Sequence, residues 1–385
     1  MDRESRRTIV FMQLSGAKKS NVVGGGLSFL ETLANRLEQR GYSVYAITNP
    51  ADRYGFVFLA ERRLVANYKE DDMSAKTWFL FNRRKLKTEI DRIIKVIPED
   101  AIFITVDPFP PDLFAAFHLR KNRSRSTVVT MHHITPSPLF HPFRRGPVRS
   151  LISWSLSMFA LISVKLQEIS VFIDNFRIAE KSGWKMGELV MEMPLSLRQF
   201  NVMEPRDEKF QACYVGRLAK NKGIKDLILA WEIVARKIPS AHLTLIGHGQ
   251  LKKTYMKLIE GKGLAENIYV SGYLSEEEKN IIISKCSLFP FASYEEGWSL
   301  SVMEAIDQGV LPILYDLPAY DYVCSSEVKV PPGNVSEFAE RIIYYFEHSE
   351  VRKEATMKLQ SCISNYSQDF VVDTWINQIN SRFYL

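Results

Sequence analysis

The chain has 385 residues, of which 46% are hydrophobic and 24% are charged, and its formal net charge is +6. It shows no repeat period and no low-complexity run, which excludes repeat and disordered proteins and suits two domains with a core each. The positive charge is uneven, because residues 1–195 carry a net +9 and the rest a net −3.

The amino-terminal half begins with a strand and a glycine run. Residues 8–12 are predicted to form a strand, and Gly24, Gly25 and Gly26 precede a helix that ends at Gly41. Consecutive glycines let the backbone approach a ligand closely, and a helix start attracts anions, although a glycine run is also an ordinary loop. The dinucleotide-binding fingerprint is not matched, since no Gly-x-Gly-x-x-Gly occurs here.

Two adjacent histidines follow a later strand. Residues 127–131 predict a strand that delivers His132 and His133 to its carboxyl end, where open parallel sheets bind ligands. A histidine at a strand end is also often a structural residue. Neighbouring side chains in an extended segment point to opposite faces, so we do not expect one metal ion to take both.

An apolar run at residues 151–164 follows the cations Arg144, Arg145 and Arg149. It is too short and too serine-interrupted to cross a membrane, which takes about 20 apolar residues. The run predicts a core helix in preference to the alternative, an interfacial helix whose basic flank faces anionic lipid.

The carboxyl-terminal half begins with a strand, a glycine turn and two cations. Residues 210–215 predict the strand, and an amphipathic helix begins at Ile224. Between them, Arg217 can contact a diphosphate in a bidentate manner and Lys222 supplies a point charge. A solvated basic loop is the alternative interpretation.

Two carboxylates, Glu296 and Glu304, stand eight positions apart across a predicted loop-to-helix junction. Residues 287–291 predict a buried strand end, and the helix begins near Ser299. The N–H groups of the first helical turn attract phosphate. One carboxylate can accept hydrogen bonds from sugar hydroxyls and the other from ribose hydroxyls, although this spacing also arises by chance.

Taken together, these motifs resemble the retaining family 4 glycosyltransferases, the glycosyl transferases group 1, which have the two-domain GT-B fold. The family's loop of glycines and cations matches Gly216, Arg217, Lys222 and Gly223, and its glutamate pair matches Glu296 and Glu304. Residues 243–249 are similar to the family's strand and glycine turn, and residues 270–274 to the segment along the nucleotide base.

The resemblance implies a role for each matched position. Arg217 and Lys222 would hold the diphosphate, Glu304 the ribose, and Glu296 the donor sugar; His132 maps onto an active-site histidine. The catalytic set would be Glu296, His132, Arg217 and Lys222. The other implied donor-binding positions are Gly25, Gly26, Gly216, Gly272, Tyr273, Leu274, Gly297, Trp298, Ser299, Leu300, Ser301 and Glu304. Ser299 departs from a frequent glycine and His248 from a frequent aspartate.

The expected fold class is α/β, with two Rossmann-like parallel-sheet domains that face each other across a cleft. Residues 1–195 would form the acceptor-side domain, 196–208 a linker, 209–367 the nucleotide-sugar domain, and 368–385 a helix that returns to the first domain. The four cysteines have no metal-ligand spacing and suit a reducing compartment. The charged start does not predict a signal peptide.

The predicted activity is transfer of a hexosyl group from a donor such as UDP- or GDP-hexose to a lipid-linked or glycan acceptor, without a metal or cofactor. We expect a cytoplasmic protein, peripheral to the membrane face if it contacts an anionic surface. A sugar-nucleotide epimerase of similar fold is one alternative. A basic protein that binds or modifies nucleic acid is another, less favoured because the cations are scattered. Nothing in the sequence indicates an oligomeric state.

Overall fold

The computed structural model describes residues 7–14, 25–49, 56–67, 75–106, 110–123, 125–131, 162, 166, 168–173, 190–192, 209–320 and 322–383. They divide into two compact units, Met1–Leu195 with Asp369–Leu385, and Ser196–Gln368. Each unit is built on its own parallel sheet.

The strands of the first unit are β1 Thr8–Gln13, β2 Ser43–Thr48, β3 Arg63–Val65, β4 Ile102–Thr105, β5 Ser126–Met131, β6 Ser170–Ile173 and β7 Val190–Glu192. Those of the second unit are β8 Gln211–Val215, β9 His242–Ile246, β10 Ile268–Gly272, β11 Leu288–Phe291, β12 Leu311–Tyr315 and β13 Lys329–Val330.

The α-helices of the described residues are α1 Gly25–Gln39, α2 Ala75–Ile93, α3 Pro110–Arg123, α4 Ile224–Lys237, α5 Lys252–Gly261, α6 Glu276–Lys285, α7 Leu300–Asp307, α8 Val335–Glu347, α9 Ser349–Ile363 and α10 Gln368–Phe383. Short 3-10 turns are formed by Val57–Arg62, Ile94–Val96, Lys220–Lys222, Pro318–Tyr320 and Ser364–Tyr366.

The first sheet has the strand order β3-β2-β1-β4-β5-β6-β7. All six residues of β1 are buried, as expected of a parallel strand covered on both faces. The chain moves outward from β1 to β3 and begins again at β4, so the strand order switches between β1 and β4. Helix α1, whose first residues are Gly25 and Gly26, is the first of the described elements after β1.

The last helix, α10, packs on the first unit although it is the last in sequence. The Trp375 ring is fully buried and meets the Phe172 ring edge-on, with 4.8 Å between the ring centroids. Arg40, just after α1, forms ion pairs with Asp369 and Asp373 of α10. An aromatic contact and paired charges therefore attach this helix to the first sheet.

An ionic cluster joins helices α2 and α3 of the first unit. The Asp91 carboxylate lies 2.7 Å from the His118 ring nitrogen Nε2 and accepts a hydrogen bond of 2.9 Å from Arg123 Nε. Burial alone would raise the pKa of Asp91, but the hydrogen bonds from Arg123 and His118 outweigh it, and the pKa lies below its usual value. The Asp91 carboxylate is thus stabilised in its charged form.

The second sheet has the strand order β10-β9-β8-β11-β12-β13. The chain moves outward from β8 to β10 and begins again at β11, so the switch in strand order lies between β8 and β11. Open α/β sheets bind ligands outside the carboxyl ends of the strands at such a point. The loops after β8 and β11 therefore define where a ligand is expected in this unit. The prediction of parallel α/β sheets in both halves is confirmed.

The prediction of four reduced cysteines is wrong for one pair. Cys324 and Cys362 form a disulfide across a sequence separation of 38, with their Cα atoms 6.3 Å apart. Cys362 lies in the last turn of α9, which packs beside β12, and this brings it to the segment that contains Cys324. Cys213 and Cys286 are free and buried.

Among the described helices, none combines the length and the apolar character that a bilayer crossing requires. The run at 151–164 and its basic flank lie outside the described residues, apart from Ile162, so the choice between core and interfacial helix stays a prediction.

Candidate functional site

The loops that follow β8 and β11 contact each other at the switch point of the second sheet. The backbone N–H of Tyr294 donates to the carbonyl oxygen of Asn221 at 2.9 Å, and the Ser293 hydroxyl donates to the same oxygen at 3.3 Å. The Tyr294 hydroxyl also donates to the Asp226 carboxylate on α4. The two loops are thus held together by backbone and side-chain bonds.

Gly223 makes this close approach possible. It has a left-handed backbone with φ of +64°, and it ends the 3-10 turn before α4. A Cβ atom here would lie 1.8 Å from the carbonyl oxygen of Ala292, the residue after β11. Only glycine fits both the backbone conformation and the contact.

An ion pair between Lys222 and Glu296 links the two loops. The Lys222 ammonium donates to Glu296 Oε1 at 2.5 Å, and the two side chains are only 14% and 8% exposed. Lys222 was expected at the diphosphate and Glu296 at the sugar, and the structure brings these residues into direct contact. An ion pair this buried is a site where ligand binding can redistribute charge.

The charge of Glu296 acts on three buried tyrosines. Burial raises the pKa of the Tyr214, Tyr320 and Tyr322 hydroxyls, and the negative charge of Glu296 raises it further. All three hydroxyls therefore stay protonated, and that of Tyr214 donates to the carbonyl oxygen of Arg217 at 3.2 Å. No local pattern in the sequence indicates these tyrosines, because they come from different strands and turns.

The segment between the two glutamates adopts a constrained backbone. Ser299 has φ of +57° and ψ of +75°, and it precedes the first residue of α7. The Tyr322 hydroxyl donates to the carbonyl oxygens of Trp298 and Ser299 at 3.0 and 3.3 Å. The Trp298 ring stacks on the Tyr322 ring and meets the Tyr366 ring edge-on. Left-handed backbone gives the physical reason why glycine is frequent at the Ser299 position.

Glu304 lies inside α7 and pairs with a lysine that was not among the predicted site residues. Its Oε2 accepts a hydrogen bond of 3.1 Å from Lys279 Nζ on α6, and the side chains of Glu304 and Lys279 are 6% and 8% exposed. Lys279 also pairs with Glu276, which is 56% exposed, at 2.7 Å. Because Lys279 and Glu304 are 25 positions apart in the sequence, no local pattern predicts their contact.

The other expected donor-binding residues are distributed as follows. Arg217 is exposed in the loop after β8, which begins with Gly216. Gly272 ends β10 with φ of +83°. The next two residues are Tyr273, which is exposed, and Leu274, which is half-buried. Gly297 and Trp298 are buried, and Leu300 and Ser301 are half-buried in the first turn of α7. Gly25 and Gly26 start α1 in the first unit, and His132 lies outside the described residues. In the part of the chain that the structure describes, no three His, Cys, Asp or Glu side chains gather as metal ligands do.

The sequence of the second unit matches the model of a known protein family. Residues 197–359 match the family model described as Glycosyl transferases group 1. The chain is 26% identical over 186 residues to the poly(glycerol-phosphate) alpha-glucosyltransferase of Bacillus subtilis, a match that covers 46% of this chain and 27% of that protein. It is 20% identical over 347 residues to the poly(ribitol-phosphate) alpha-N-acetylglucosaminyltransferase of Staphylococcus aureus, a match that covers 86% of this chain and 66% of that protein. The matched regions thus span less than two thirds of either relative.

Solved structures agree with the fold over the whole chain. Sucrose-phosphate synthase from Thermosynechococcus elongatus superimposes with a TM-score of 0.78 at 15% identity, covering 98% of this chain and 99% of that one. Staphylococcus aureus TarM, solved with fondaparinux, alpha-GlcNAc-glycerol and UDP, superimposes with a TM-score of 0.75 at 13% identity, covering 97% and 100%. Both likenesses concern the fold alone.

Proposed function

Because residues 197–359 match the model of the glycosyl transferases group 1, we propose that the chain belongs to this family, family 4 of the glycosyltransferases, and that it transfers a hexosyl group from a nucleoside-diphosphate sugar to a lipid-linked or glycan acceptor, with retention of anomeric configuration. The observation that carries the proposal is the buried Lys222–Glu296 pair, which joins two loops at the switch point of the second sheet.

The charges at this point suit a donor whose diphosphate leaves. Arg217 is exposed and offers a planar set of donors to phosphate oxygens, while Lys222 adds a compact charge. The N–H groups at the start of α7 add the positive end of a helix dipole. Glu296, beside Lys222, then accepts hydrogen bonds from hydroxyls of the donor sugar, and Glu304 accepts them from the ribose.

The reaction exchanges one bond at the anomeric carbon for another. The acceptor oxygen forms a bond to that carbon as its bond to the phosphate oxygen breaks, and the electron pair of the broken bond stays on the nucleoside diphosphate. In the retaining scheme the acceptor proton passes to the departing phosphate oxygen on the same face. Arg217 and Lys222 stabilise the charge that develops there, which is the largest single contribution in many enzymes.

UDP-hexose is the first donor to test and GDP-hexose the second. The TarM structure of similar fold was solved with UDP, which favours a uridine nucleotide. The two relatives in sequence are named for polyol-phosphate acceptors, so such polymers belong in the acceptor panel beside lipid-linked saccharides.

The test is release of nucleoside diphosphate from UDP- and GDP-hexoses, with and without each acceptor. A transferase releases nucleotide mainly when acceptor is present, and NMR of the product from an α-linked donor shows an α linkage. A Glu296→Gln variant serves as the inactive control. Conversion of one sugar nucleotide into another without acceptor would support an epimerase instead, and a β-linked product would exclude the retaining reaction.

We further propose that the first unit contacts an anionic membrane surface. The net charge of +9 on residues 1–195 and the basic residues Arg144, Arg145 and Arg149 support this placement. Each cation near such a surface contributes about 1 kcal/mol, and the attraction is screened within about 8 Å at physiological salt. Sedimentation with anionic vesicles at low and high salt tests it. Equal pelleting by the parent and by a variant with all three arginines changed to Glu would contradict it.

A further inference from the structure

The second carboxylate of the site is held by a lysine to which the proposed function gives no role. Lys279 lies in the first turns of α6, and its ammonium contacts Glu304 Oε2 of α7 at 3.1 Å. Both side chains are more than nine-tenths buried, so water screens this contact little.

Helix α6 is fixed close to its own start. Ser275 and Glu278 form a reciprocal capping box, in which the Ser275 hydroxyl accepts from the Glu278 N–H and the Glu278 carboxylate accepts from the Ser275 N–H. Ser275 directly follows residues 270–274, the segment that the family resemblance places along the nucleotide base. One rigid helix start therefore connects the base segment to the residue that contacts Glu304.

A buried carboxylate needs a fixed partner if it is to recognise two hydroxyls. Because Lys279 engages Oε2 of Glu304, it sets the rotation of the carboxylate plane. The second contact of Lys279, with Glu276 at 2.7 Å, holds the ammonium from the solvent side. Carboxylates that accept hydrogen bonds in a binding site lose selectivity when such support is removed.

We propose that Lys279 is a positioning residue that aims Glu304 at the ribose hydroxyls of the donor, and that it thereby sets selectivity for a ribonucleotide. The inference rests on the proposed function, because it requires a nucleotide at this site. Lys279 touches neither the sugar nor the reacting atoms; it acts through Glu304.

The experiment compares UDP and GDP with their 2′,3′-dideoxy counterparts by calorimetry. We expect the parent to bind the ribonucleotide at least about tenfold more tightly, since unpaired polar groups penalise the analogue. In Lys279→Met the ribonucleotide should bind about as weakly as the dideoxy nucleotide. The affinity of the variant for the dideoxy nucleotide should stay within about twofold of the parent's affinity for it, because the diphosphate contacts remain. Lys279→Arg should recover part of the selectivity, and Lys257→Met, an exposed lysine on α5, should match the parent.

A further variant separates folding from binding. Lys279→Met leaves the buried Glu304 without this partner and should lower the melting temperature. The double variant Lys279→Met with Glu304→Gln removes both charges, so part of the lost melting temperature should return. The selectivity should stay lost in the double variant. Equal weakening of both nucleotides in Lys279→Met would reduce Lys279 to a purely structural residue and overturn the inference.

The remaining outcomes separate the two proposals. If the parent binds UDP or GDP without distinguishing the dideoxy form, the assignment of Glu304 to the ribose and this inference both fall, and the proposed transferase activity stands. If the parent binds neither nucleotide, the proposed function falls with the inference.

Discussion

Substitution of Gly223 by alanine tests whether the contact between the two loops is required for activity. The glycine has φ of +64°, a conformation that costs an alanine about 1–2 kcal/mol. The new Cβ would also lie 1.8 Å from the carbonyl oxygen of Ala292, whereas real Cβ atoms essentially never come within 3.0 Å of such an atom. The loop after β11 must therefore move by more than 1 Å.

Gly263→Ala is the matched control. Gly263 belongs to the same unit and has nearly the same φ, +69°, but a Cβ there would meet nothing within 4 Å. The control should lose only the conformational term, about 1–2 kcal/mol. Gly223→Ala adds the cost of overpacking, typically about 1–3 kcal/mol, so its total loss of unfolding free energy should be about 2–5 kcal/mol.

The assay pairs urea unfolding with turnover of the nucleotide sugar. Because Glu296 follows Ala292 by four residues, displacement of this loop should shift Glu296 relative to the donor. A misplacement of about 1 Å can reduce kcat by roughly a hundredfold. Gly263→Ala should keep the parental kcat. Equal unfolding midpoints and equal turnover in the two variants would refute the reasoning, because both would then reflect backbone strain alone.

Arg217→Ala should lower kcat by roughly 10²–10³-fold, by analogy with the loss of one oxyanion donor, while Lys220→Ala, an exposed cation of the same loop, should stay near the parent in the same assay. Cys324→Ser removes the disulfide to Cys362, whose loop of 38 residues corresponds to about 4 kcal/mol in the chain-entropy view, so the melting temperature should fall. Reductant should lower the melting temperature of the parent to that of the variant and leave the melting temperature of the variant unchanged. A parent whose melting temperature does not respond to reductant would contradict this. Asp91→Asn should lower stability at neutral pH, since the pKa of Asp91 is depressed in the folded state. The stability that the charged Asp91 contributes is fully present above its unfolded pKa of about 4 and is lost as pH falls through its folded pKa. The urea unfolding midpoints of parent and variant should therefore converge in acid. A difference between the two midpoints that stays constant with pH would contradict this.

Much of the fold was predictable because its signals are local. Residues 8–12 and 210–215 were expected as strands, and the structure has Thr8–Gln13 and Gln211–Val215. Buried parallel strands are continuous apolar runs, and glycines mark where helices end, so periodicity alone locates these elements. The fold class inferred from the motifs is confirmed, and residues 197–359 match the model of the inferred family.

The contacts within the site were less predictable because they join distant parts of the chain. Lys222 and Glu296 are 74 residues apart, and their contact depends on β8 and β11 being neighbours in the sheet. The disulfide likewise depends on where α9 packs. The left-handed backbone at Ser299 is hidden because serine rarely adopts it, and a glycine there would have been a clear signal.

The central claim is that the loops after β8 and β11 form a donor site in which two glutamates bind different parts of one nucleotide sugar. Calorimetry of UDP and GDP with the parent, Glu304→Gln and Glu296→Gln tests it most directly. The account predicts that Glu304→Gln weakens nucleotide binding at least about tenfold, through lost charge-assisted hydrogen bonds. Glu296→Gln should not weaken it, because the sugar is absent and Lys222 is released to the diphosphate. Loss of nucleotide affinity in Glu296→Gln with normal affinity in Glu304→Gln would contradict the account.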